Sequence, residues 1–219
     1  TVVLDDGRQV RLVGLQAPKL PLGRPGFEKW PLAGEAKRAL EALVLAKPVK
    51  LGYGGQRTDR HGRALAHLFV DGGAWVQGEM LRLGMARVYT FADNRQLAGD
   101  MYALEGEARA DKRGIWDDPY YAVRAAAETL RHLDTFQVIE GKVLAAAKVR
   151  GRAYLNFGAD WRSDFTVSIS PKAGRLFKKS GFDPLSLEGR WVRVRGWIKK
   201  YNGPMIEATH PEQIEPLDR

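Results

Sequence analysis

The sequence has 219 residues, 44% hydrophobic and 28% charged, which suits one large folded domain or two small ones and excludes disorder throughout and collagen-like structure. No apolar stretch approaches the ~20 residues of a membrane-spanning helix, so we expect no membrane partner, and the lack of cysteine excludes thiol catalysis, disulfides and thiolate zinc sites. The formal net charge of +9 favours partners that carry phosphate groups.

The first half of the chain is predicted to form strands and three helices. A hairpin over residues 1–4 and 10–15 turns at Asp5-Asp6-Gly7. A loop rich in proline and glycine follows over residues 18–31. Apolar residues at helical spacing then predict a helix over 34–45, and alternation or turn residues delimit the later elements. These are strands over 49–53 and 64–70 and helices over 75–83 and 94–112.

The second half is predicted to repeat this order of elements. A helical connector over 119–134 separates a domain of residues 1–118 from one of residues 135–219. The predicted strands cover 136–149, 152–157, 165–170, 191–199 and 205–208, with a basic helix over 171–180. Three strands, a helix and two strands is the order of the OB-fold. We therefore predict a β-rich α+β protein with two OB-like five-stranded barrels, the first carrying three helices.

Six segments of the first half carry a family resemblance in their order and spacing. They are Val10-Arg11-Leu12-Val13-Gly14-Leu15-Gln16-Ala17-Pro18-Lys19, Gly34-Glu35-Ala36, Thr58-Asp59-Arg60-His61-Gly62-Arg63-Ala64-Leu65-Ala66, Asp71-Gly72, Gly84-Met85-Ala86-Arg87-Val88 and Lys112-Arg113-Gly114-Ile115-Trp116. Residues 1–118 resemble the staphylococcal nuclease (thermonuclease) family. The resemblance implies cleavage of DNA and RNA phosphodiesters with one calcium ion, two arginines and a glutamate.

The resemblance assigns family positions to individual residues. Arg11 matches the first arginine and Arg63 the second, so the cationic half of the family's site is present. The family's aspartate-threonine-proline-glutamate tetrad is replaced here by a run in which Gln16 stands at a calcium-ligand position, Ala17 at the threonine and Lys19 at the general base. The family's other metal-binding aspartate falls just before the residue that matches Thr1, outside this sequence.

These replacements remove the acids that the family's chemistry requires. Gln16 is neutral, so the ion would lose one negatively charged ligand, and Lys19 places a cation at the position of the general base. Loss of a general base costs about 10²–10⁴ in rate. We therefore expect no metal and no cofactor, and a pocket of Arg11, Lys19 and Arg63 that binds phosphate without cleaving it. If carboxylates elsewhere, such as Glu28 or Glu35, replace the lost ones, calcium would be required.

Each assignment has a structural alternative. Arg63 could be an arginine paired with Asp59 or Asp71, and Lys19 could be a solvated loop residue. Family members are commonly exported, and the sequence opens at Thr1 without a methionine and inside a predicted strand. The first feature favours a periplasmic or secreted location, and the second predicts an upstream segment, such as a signal peptide, that has been removed.

The second half carries the densest positive charge. Between residues 142 and 200 there are fourteen Lys and Arg against four acids. Over 191–199, apolar residues alternate with a second set, which is predicted to face outward as aromatic rings interleaved with cations. This second set is Trp191, Arg193, Arg195, Trp197 and Lys199. Such a face stacks bases and neutralises phosphates in proteins that bind single strands.

We expect a neighbouring strand to extend this face with Arg152, Tyr154 and Asn156. The alternative is that Trp191 and Trp197 cover a domain interface while the arginines only provide solubility. Taken together, the sequence predicts a nucleic-acid-binding protein, with single-stranded DNA or RNA favoured. The alternatives are an active divalent-metal-dependent nuclease with relocated carboxylates and a protein-interaction scaffold.

Overall fold

The computed structural model describes residues 1–218, which form two compact units, unit 1 (Thr1–Tyr121) and unit 2 (Ala122–Arg219). The predicted connector is not one continuous helix. It contains the 3-10 helices Pro119–Tyr121 and Ala126–His132 on either side of a two-residue strand. Over residues 1–218, no helix combines the length and the apolar character needed to cross a membrane.

Unit 1 contains the predicted hairpin and three α-helices, with the predicted strand over 10–15 divided in two. Gly84 ends the second helix with φ +65°, and a Cβ there would lie 2.1 Å from the carbonyl oxygen of Arg113. Only glycine fits such a turn. The elements are β1 (Val2–Val3), β2 (Gln9–Leu12), β3 (Leu15–Gln16), α1 (Ala33–Val44), β4 (Val49–Gly52), β5 (Ala64–Val70), α2 (Val76–Arg82), β6 (Arg87–Val88), α3 (Ala98–Ala110) and the 3-10 helix Gly114–Asp117.

A four-stranded sheet in the order β1-β2-β5-β4 forms the base of unit 1, with β2 and β5 parallel. Alternation on β2 and β5 directs Val10, Ala66 and Leu68 inward, where each is fully buried. A separate two-stranded sheet joins β3 to β6 and places Gln16 directly opposite Arg87. The sequence analysis did not predict β6.

Unit 2 is predominantly β. Its helix α4 begins after Ser170, whose Oγ accepts a hydrogen bond from the Ala173 backbone N–H at 3.3 Å, with Pro171 in the first turn. The elements are β7 (Arg124–Ala125), β8 (Phe136–Lys142), β9 (Ala145–Val149), β10 (Arg152–Asn156), β11 (Thr166–Ile169), α4 (Pro171–Lys179), the 3-10 helix Pro184–Leu187, β12 (Trp191–Trp197), β13 (Lys199–Lys200), β14 (Pro204–Glu207), the 3-10 helix Pro211–Gln213 and β15 (Ile214–Leu217).

Two sheets enclose the core of unit 2. One has the order β13-β14-β11-β10-β9, with β11 and β14 parallel, and the other has the order β15-β12-β8-β7. The predicted strand over 136–149 is divided into β8 and β9, which belong to different sheets. Val192, Val194 and Ile198 are fully buried in the core, as the alternation predicted. Phe177 from α4 packs into the same core.

Candidate functional site

Arg11 on β2 lines two cavities of unit 1, each about 390 Å³. The first, here the Arg63 cavity, is lined by Arg11, Gln56, Asp59, His61, Arg63, Tyr89, Phe91 and Asn94, among others. The second, here the Lys19 cavity, is lined by Arg11, Gln16, Lys19, Arg24, Lys37 and Met80, among others. The three residues predicted for one phosphate pocket are therefore divided between two cavities, with Arg63 in one, Lys19 in the other and Arg11 in both.

The Lys19 cavity is cationic. Of the described residues that line it, none is an Asp or a Glu. The Lys19 ammonium lies 4.8 Å from the centroid of the Trp30 ring, so it contacts the protein rather than extending from the loop. Burial lowers the pKa of Lys19, and the charges of Arg24, Arg87 and Arg11 lower it further. A bound anion would relieve this repulsion.

Gln16 is held by a buried arginine. Its Oε1 accepts hydrogen bonds from Arg87 Nε at 3.0 Å and Nη2 at 2.7 Å. Gln16 is 9% exposed and Arg87 3% exposed. Because the amide oxygen already accepts two charge-assisted bonds, its lone pairs are directed at a cation of the protein itself.

The residues at the family's calcium position do not fit a calcium ion. Calcium takes six to eight oxygen ligands, usually including carboxylates. Here the oxygen of Gln16 is engaged by Arg87, and the Lys19 cavity has no acid among its described lining residues. Over residues 1–218, His, Asp and Glu side chains form no group of three or more that could hold a metal ion. We derive no catalytic step through the metal.

The two family arginines differ in how their charges are balanced. Arg63 Nη2 lies 2.6 Å from Asp59 Oδ2. Burial would raise the pKa of Asp59, but hydrogen bonds from the Arg63 side chain and from the His61 and Arg63 backbone N–H groups lower it to about 2. Arg11 lies 5.4 Å from the centroid of the Phe91 ring and forms no ion pair with an acid of residues 1–218. The structure thus shows the Asp59 pairing of Arg63, while Arg11 keeps an uncompensated charge.

The structure places neither proposed replacement carboxylate at the cavities. Glu28 and Glu35 are absent from the described lining residues of both. Glu35 lies in the first turn of α1 and accepts a hydrogen bond from Arg38 Nη2 at 3.0 Å. Its position agrees with stabilisation by the helix dipole.

The prediction of free cations on β12 is wrong for Arg193 and Arg195. Arg193 Nη2 lies 2.6 Å from Glu140 Oε1, and its Nη1 lies 3.5 Å from Glu215 Oε2. Arg195 is 1% exposed and also pairs with Glu215. The acids come from β8 and β15, which flank β12 and place Glu140 and Glu215 directly opposite Arg193. Trp197 on this strand is 38% exposed.

The other cations predicted for this surface are also paired, and β10 does not extend it. Lys199 donates to Asp134 Oδ1 at 2.6 Å, and Arg152 Nη1 lies 3.2 Å from Glu207 Oε1. β10 pairs with β9 and β11, not with β12, so Arg152 and Tyr154 belong to the other sheet. Of the predicted aromatic residues, Trp191 at the start of β12 is 38% exposed.

Sequence reasoning missed Arg87 and Arg24. Arg87 lies within one of the family segments, but its role depends on the β3–β6 pairing with Gln16. Two strands of two residues leave no periodic signal. Arg24 lies in the Pro/Gly-rich loop, where its side chain donates to the carbonyl oxygens of Leu20 and Pro21. Only the folded loop brings it to the Lys19 cavity.

Comparison with known proteins identifies the family of the first half of the chain. Residues 9–118, half of the chain, match the family model described as staphylococcal nuclease homologue, and the chain belongs to this family. The resemblance found in the sequence is confirmed at this level.

Among the similar proteins are three whose names describe nucleases. Endonuclease YncB of Bacillus subtilis is 34% identical over 93 residues, which are 42% of this chain and 44% of YncB. Probable staphylococcal-like nuclease CAN1 of rice (Oryza sativa) is 32% identical over 114 residues, 52% of this chain and 30% of CAN1. An uncharacterized endonuclease of Escherichia coli is 30% identical over 121 residues, 54% of this chain and 71% of that protein. The chain thus spans less than half of YncB and less than a third of CAN1.

Proposed function

We propose that this protein binds single-stranded nucleic acid through the Lys19 cavity and does not cleave it by the family's metal-dependent mechanism. The observation that carries this proposal is the Gln16–Arg87 pair beside a cavity without acidic lining residues. A phosphate there would meet Arg11 and Lys19, and charge-assisted hydrogen bonds to phosphate are among the strongest that proteins make.

The same site argues against the family's chemistry. A general base must reach the attacking water within hydrogen-bond distance, and the position that supplies it in the family holds Lys19. An ammonium close to the cations Arg24 and Arg87 attracts the phosphate but cannot accept a proton while it is charged. The proposed outcome is binding of the phosphodiester with its bonds intact.

We further propose that both units are five-stranded OB-like barrels. In unit 2, β8 with β9 and β12 with β13 would each be one bent strand shared by the two sheets. Followed in this way, the pairings return to their starting strand, and the parallel pair β11–β14 joins the third strand to the fifth. In unit 1, the parallel pair β2–β5 has the corresponding place. OB barrels commonly bind oligonucleotides.

The test is to measure binding and cleavage of the same oligonucleotide. We expect a fluorescein-labelled oligothymidylate or oligouridylate to be retained at low salt and to remain intact in calcium. Arg11→Ala and Lys19→Ala should each weaken retention, whereas Arg8→Ala should not, because Arg8 is exposed and pairs with Asp6 outside both cavities. Lack of retention of either nucleic acid at low salt would refute the proposal and favour a protein-interaction scaffold.

The second candidate is an active divalent-metal-dependent nuclease. It is favoured by the endonuclease names of the relatives and by the two arginines, Arg11 and Arg63, which line one cavity. This candidate predicts degradation of DNA or RNA that starts on addition of calcium, stops with EDTA and is abolished by Arg63→Ala. A trace contaminant would be unaffected by that substitution.

A further inference from the structure

Unit 2 has an aromatic groove of about 480 Å³ on the outer face of the β13-β14-β11-β10-β9 sheet. We call it the Tyr154 groove. It is lined by Ala147, Val149, Tyr154, Asn156, Trp161, Thr166, Tyr201, Asn202, Gly203, Pro204 and Met205. It is separate from the Lys19 and Arg63 cavities, which belong to unit 1.

The strand register forms the floor of the groove. Tyr154 lies directly opposite Ala147 on β9, and Asn156 lies opposite Thr166 on β11. Thr166 in turn lies opposite Met205 on β14. Small side chains on β9 leave open space beside the Tyr154 ring, where larger residues would fill it. The face therefore offers a concave surface of aromatic and aliphatic groups.

Aromatic rings stand on the rim of this surface. Tyr201 is 75% exposed and Trp161 is 51% exposed, and the Arg162 guanidinium lies 4.8 Å from the centroid of the Trp161 ring. Large exposed apolar side chains clustered around a concave surface commonly mark a ligand-binding site. Rings arranged in this way accept a flat ligand by stacking.

The polar and charged groups around the groove indicate which flat ligand fits. Asn156 Oδ1 accepts a hydrogen bond from Thr166 Oγ1 at 3.2 Å, which leaves the amide N–H groups of this groove-lining residue available to a ligand. Arg152 pairs with the acid Glu207 at 3.2 Å, and this pairing compensates the carboxylate. Lys200, next to Tyr201, forms no ion pair with an acid of residues 1–218.

The other side of the groove carries both acids and cations. Asp164 Oδ2 accepts a hydrogen bond from the Asp160 backbone N–H at 2.8 Å, and Asp164 forms no ion pair with a cation of residues 1–218. Asp160 lies 3.9 Å from Arg162 and accepts a hydrogen bond from the Arg162 backbone N–H. Arg150 follows Val149 at the turn between β9 and β10, and within residues 1–218 it forms no ion pair. A ligand here would thus meet aromatic faces and one amide, with Arg150 and Lys200 each next in sequence to a lining residue.

We propose that the Tyr154 groove binds unpaired bases of a single-stranded nucleic acid, which stack on Trp161 and Tyr201 while Lys200 and Arg150 neutralise the backbone. The inference rests on the proposed binding of single-stranded nucleic acid and assigns a contact region for it within unit 2. Stacking accepts any base, because every base has a π-face, whereas bases paired in a duplex do not expose theirs. The groove therefore selects single strands without reading their sequence.

The experiment is an anisotropy titration of the full chain with fluorescein-labelled oligothymidylate and with a blunt DNA duplex. Trp161→Ala and Tyr201→Ala should each weaken oligothymidylate binding by about 5- to 150-fold, the range expected for loss of one stacked base. The matched control is Leu185→Ala, an exposed apolar residue of unit 2 outside the groove. Circular dichroism should show the same fold for all variants, because the side chains removed are largely exposed.

The salt dependence separates stacking from charge. Trp161→Ala and Tyr201→Ala should leave the slope of log K against log salt unchanged, while Lys200→Ala should make it shallower. Unchanged affinity in both aromatic variants would overturn the inference, as would equal binding of duplex and single strand. Conversion of a dimer into a monomer by these variants, seen by light scattering, would overturn it in favour of a second copy of the chain.

The same titrations distinguish this inference from the proposed function. If Arg11→Ala weakens binding and the aromatic variants do not, the proposal for the Tyr154 groove is refuted and the proposal for the Lys19 cavity is supported. If the aromatic variants weaken binding and Arg11→Ala and Lys19→Ala do not, the groove proposal is supported and the cavity proposal is refuted. If the unmodified protein binds no single strand at low salt, both are wrong.

Discussion

Lys19 and Gln16 stand at two positions where the family's mechanism uses acids, and they differ in their surroundings. Gln16 is bound inside the protein by Arg87, so its amide has a structural partner. Lys19 lies over Trp30 near three arginines, where its charge is unfavourable. A side chain whose charge is costly in the free protein gains most when an anion arrives. Lys19 is therefore the residue whose protonation we expect to depend on binding.

The pH dependence of binding follows from the lowered pKa of Lys19. Its pKa lies below the ordinary 10.5, and a bound phosphate stabilises the protonated form. Affinity for an oligonucleotide should thus be full well below that lowered pKa and should fall as the pH rises through it. Lys19→Arg should remove the fall, because a guanidinium stays charged over this range. Anisotropy titrations at several pH values measure this change in affinity.

Lys47→Arg serves as the control for this pH series. The Lys47 ammonium donates to the carbonyl oxygen of Ala42 and lines neither cavity. Its profile should follow that of the unmodified protein. Identical profiles for the unmodified protein and for Lys19→Arg would show that Lys19 does not contact the ligand.

Asp59 gives a prediction for stability, in which the effect is lost as the pH falls rather than as it rises. Its pKa is lowered from 3.8 to about 2 by hydrogen bonds, chiefly from Arg63. The stabilisation is therefore present above about pH 4 and is lost as the pH falls through 2. Asp59→Asn should lower the thermal midpoint at pH 7, and the difference from the unmodified protein should shrink in acid. Asp71→Asn, at an exposed turn, should show no such difference at either pH.

At the scale of elements, local patterns predicted the helices and the longer strands well. The predicted strand over 64–70 and the helix over 171–180 agree with β5 and α4 to within one residue. Each of these elements is a contiguous run of residues, so the pattern that predicts it lies within a single segment. The two-residue strands β3 and β6 carry no such signal, and their pairing spans most of unit 1.

The strand β12 shows where a local pattern is insufficient. Its apolar face is buried as predicted, with Val192 and Val194 fully enclosed. Its other face was predicted to be free and is occupied by ion pairs, because Glu140 and Glu215 arrive from strands on both sides. Sequence alternation assigns residues to the two faces of a sheet, but it does not identify the neighbouring strands whose side chains pair with them.

Arg193→Ala tests this arrangement. Removing the guanidinium leaves two partly buried carboxylates without their central partner, which should destabilise unit 2 by about 3 kcal/mol. Urea unfolding followed by circular dichroism measures the loss. Oligonucleotide affinity at temperatures well below unfolding should be unchanged, since the cation is internal. A stable variant with weakened binding would instead show that Arg193 contacts the ligand. Lys200→Ala, at an exposed site, is the control for stability.

At the scale of the whole molecule, the formal charge of +9 does not show which cations a ligand can contact. Arg63, Arg193 and Arg195 all have carboxylate partners. The arginines that match the family's, and the replacements at Gln16 and Lys19, could be assigned from the sequence because they lie within contiguous motifs. The sequence analysis named Tyr154 and Asn156 as nucleic-acid contacts but did not predict the groove around them, whose lining comes from several strands and two loops. Sites assembled from distant segments require the fold to be known.

The salt dependence of binding measures the charge that a ligand contacts. For single strands, each phosphate contact contributes about 0.7 to the slope of log K against log salt. Arg11→Ala combined with Lys19→Ala should make the slope shallower by about 1.4 if each side chain neutralises one phosphate. Arg8→Ala with Lys47→Ala changes the net charge equally and should leave the slope nearly unchanged. Equal effects of the two double variants would point to a diffuse field instead.

The acid-free lining of the Lys19 cavity has a practical consequence for handling the protein. Inorganic phosphate and sulfate carry the same charged oxygens as a nucleotide backbone, so buffers of either anion would compete for Arg11 and Lys19. Purification in such buffers should release nucleic acid carried over from the host, and storage in chloride or acetate should leave the cavity open to an added oligonucleotide.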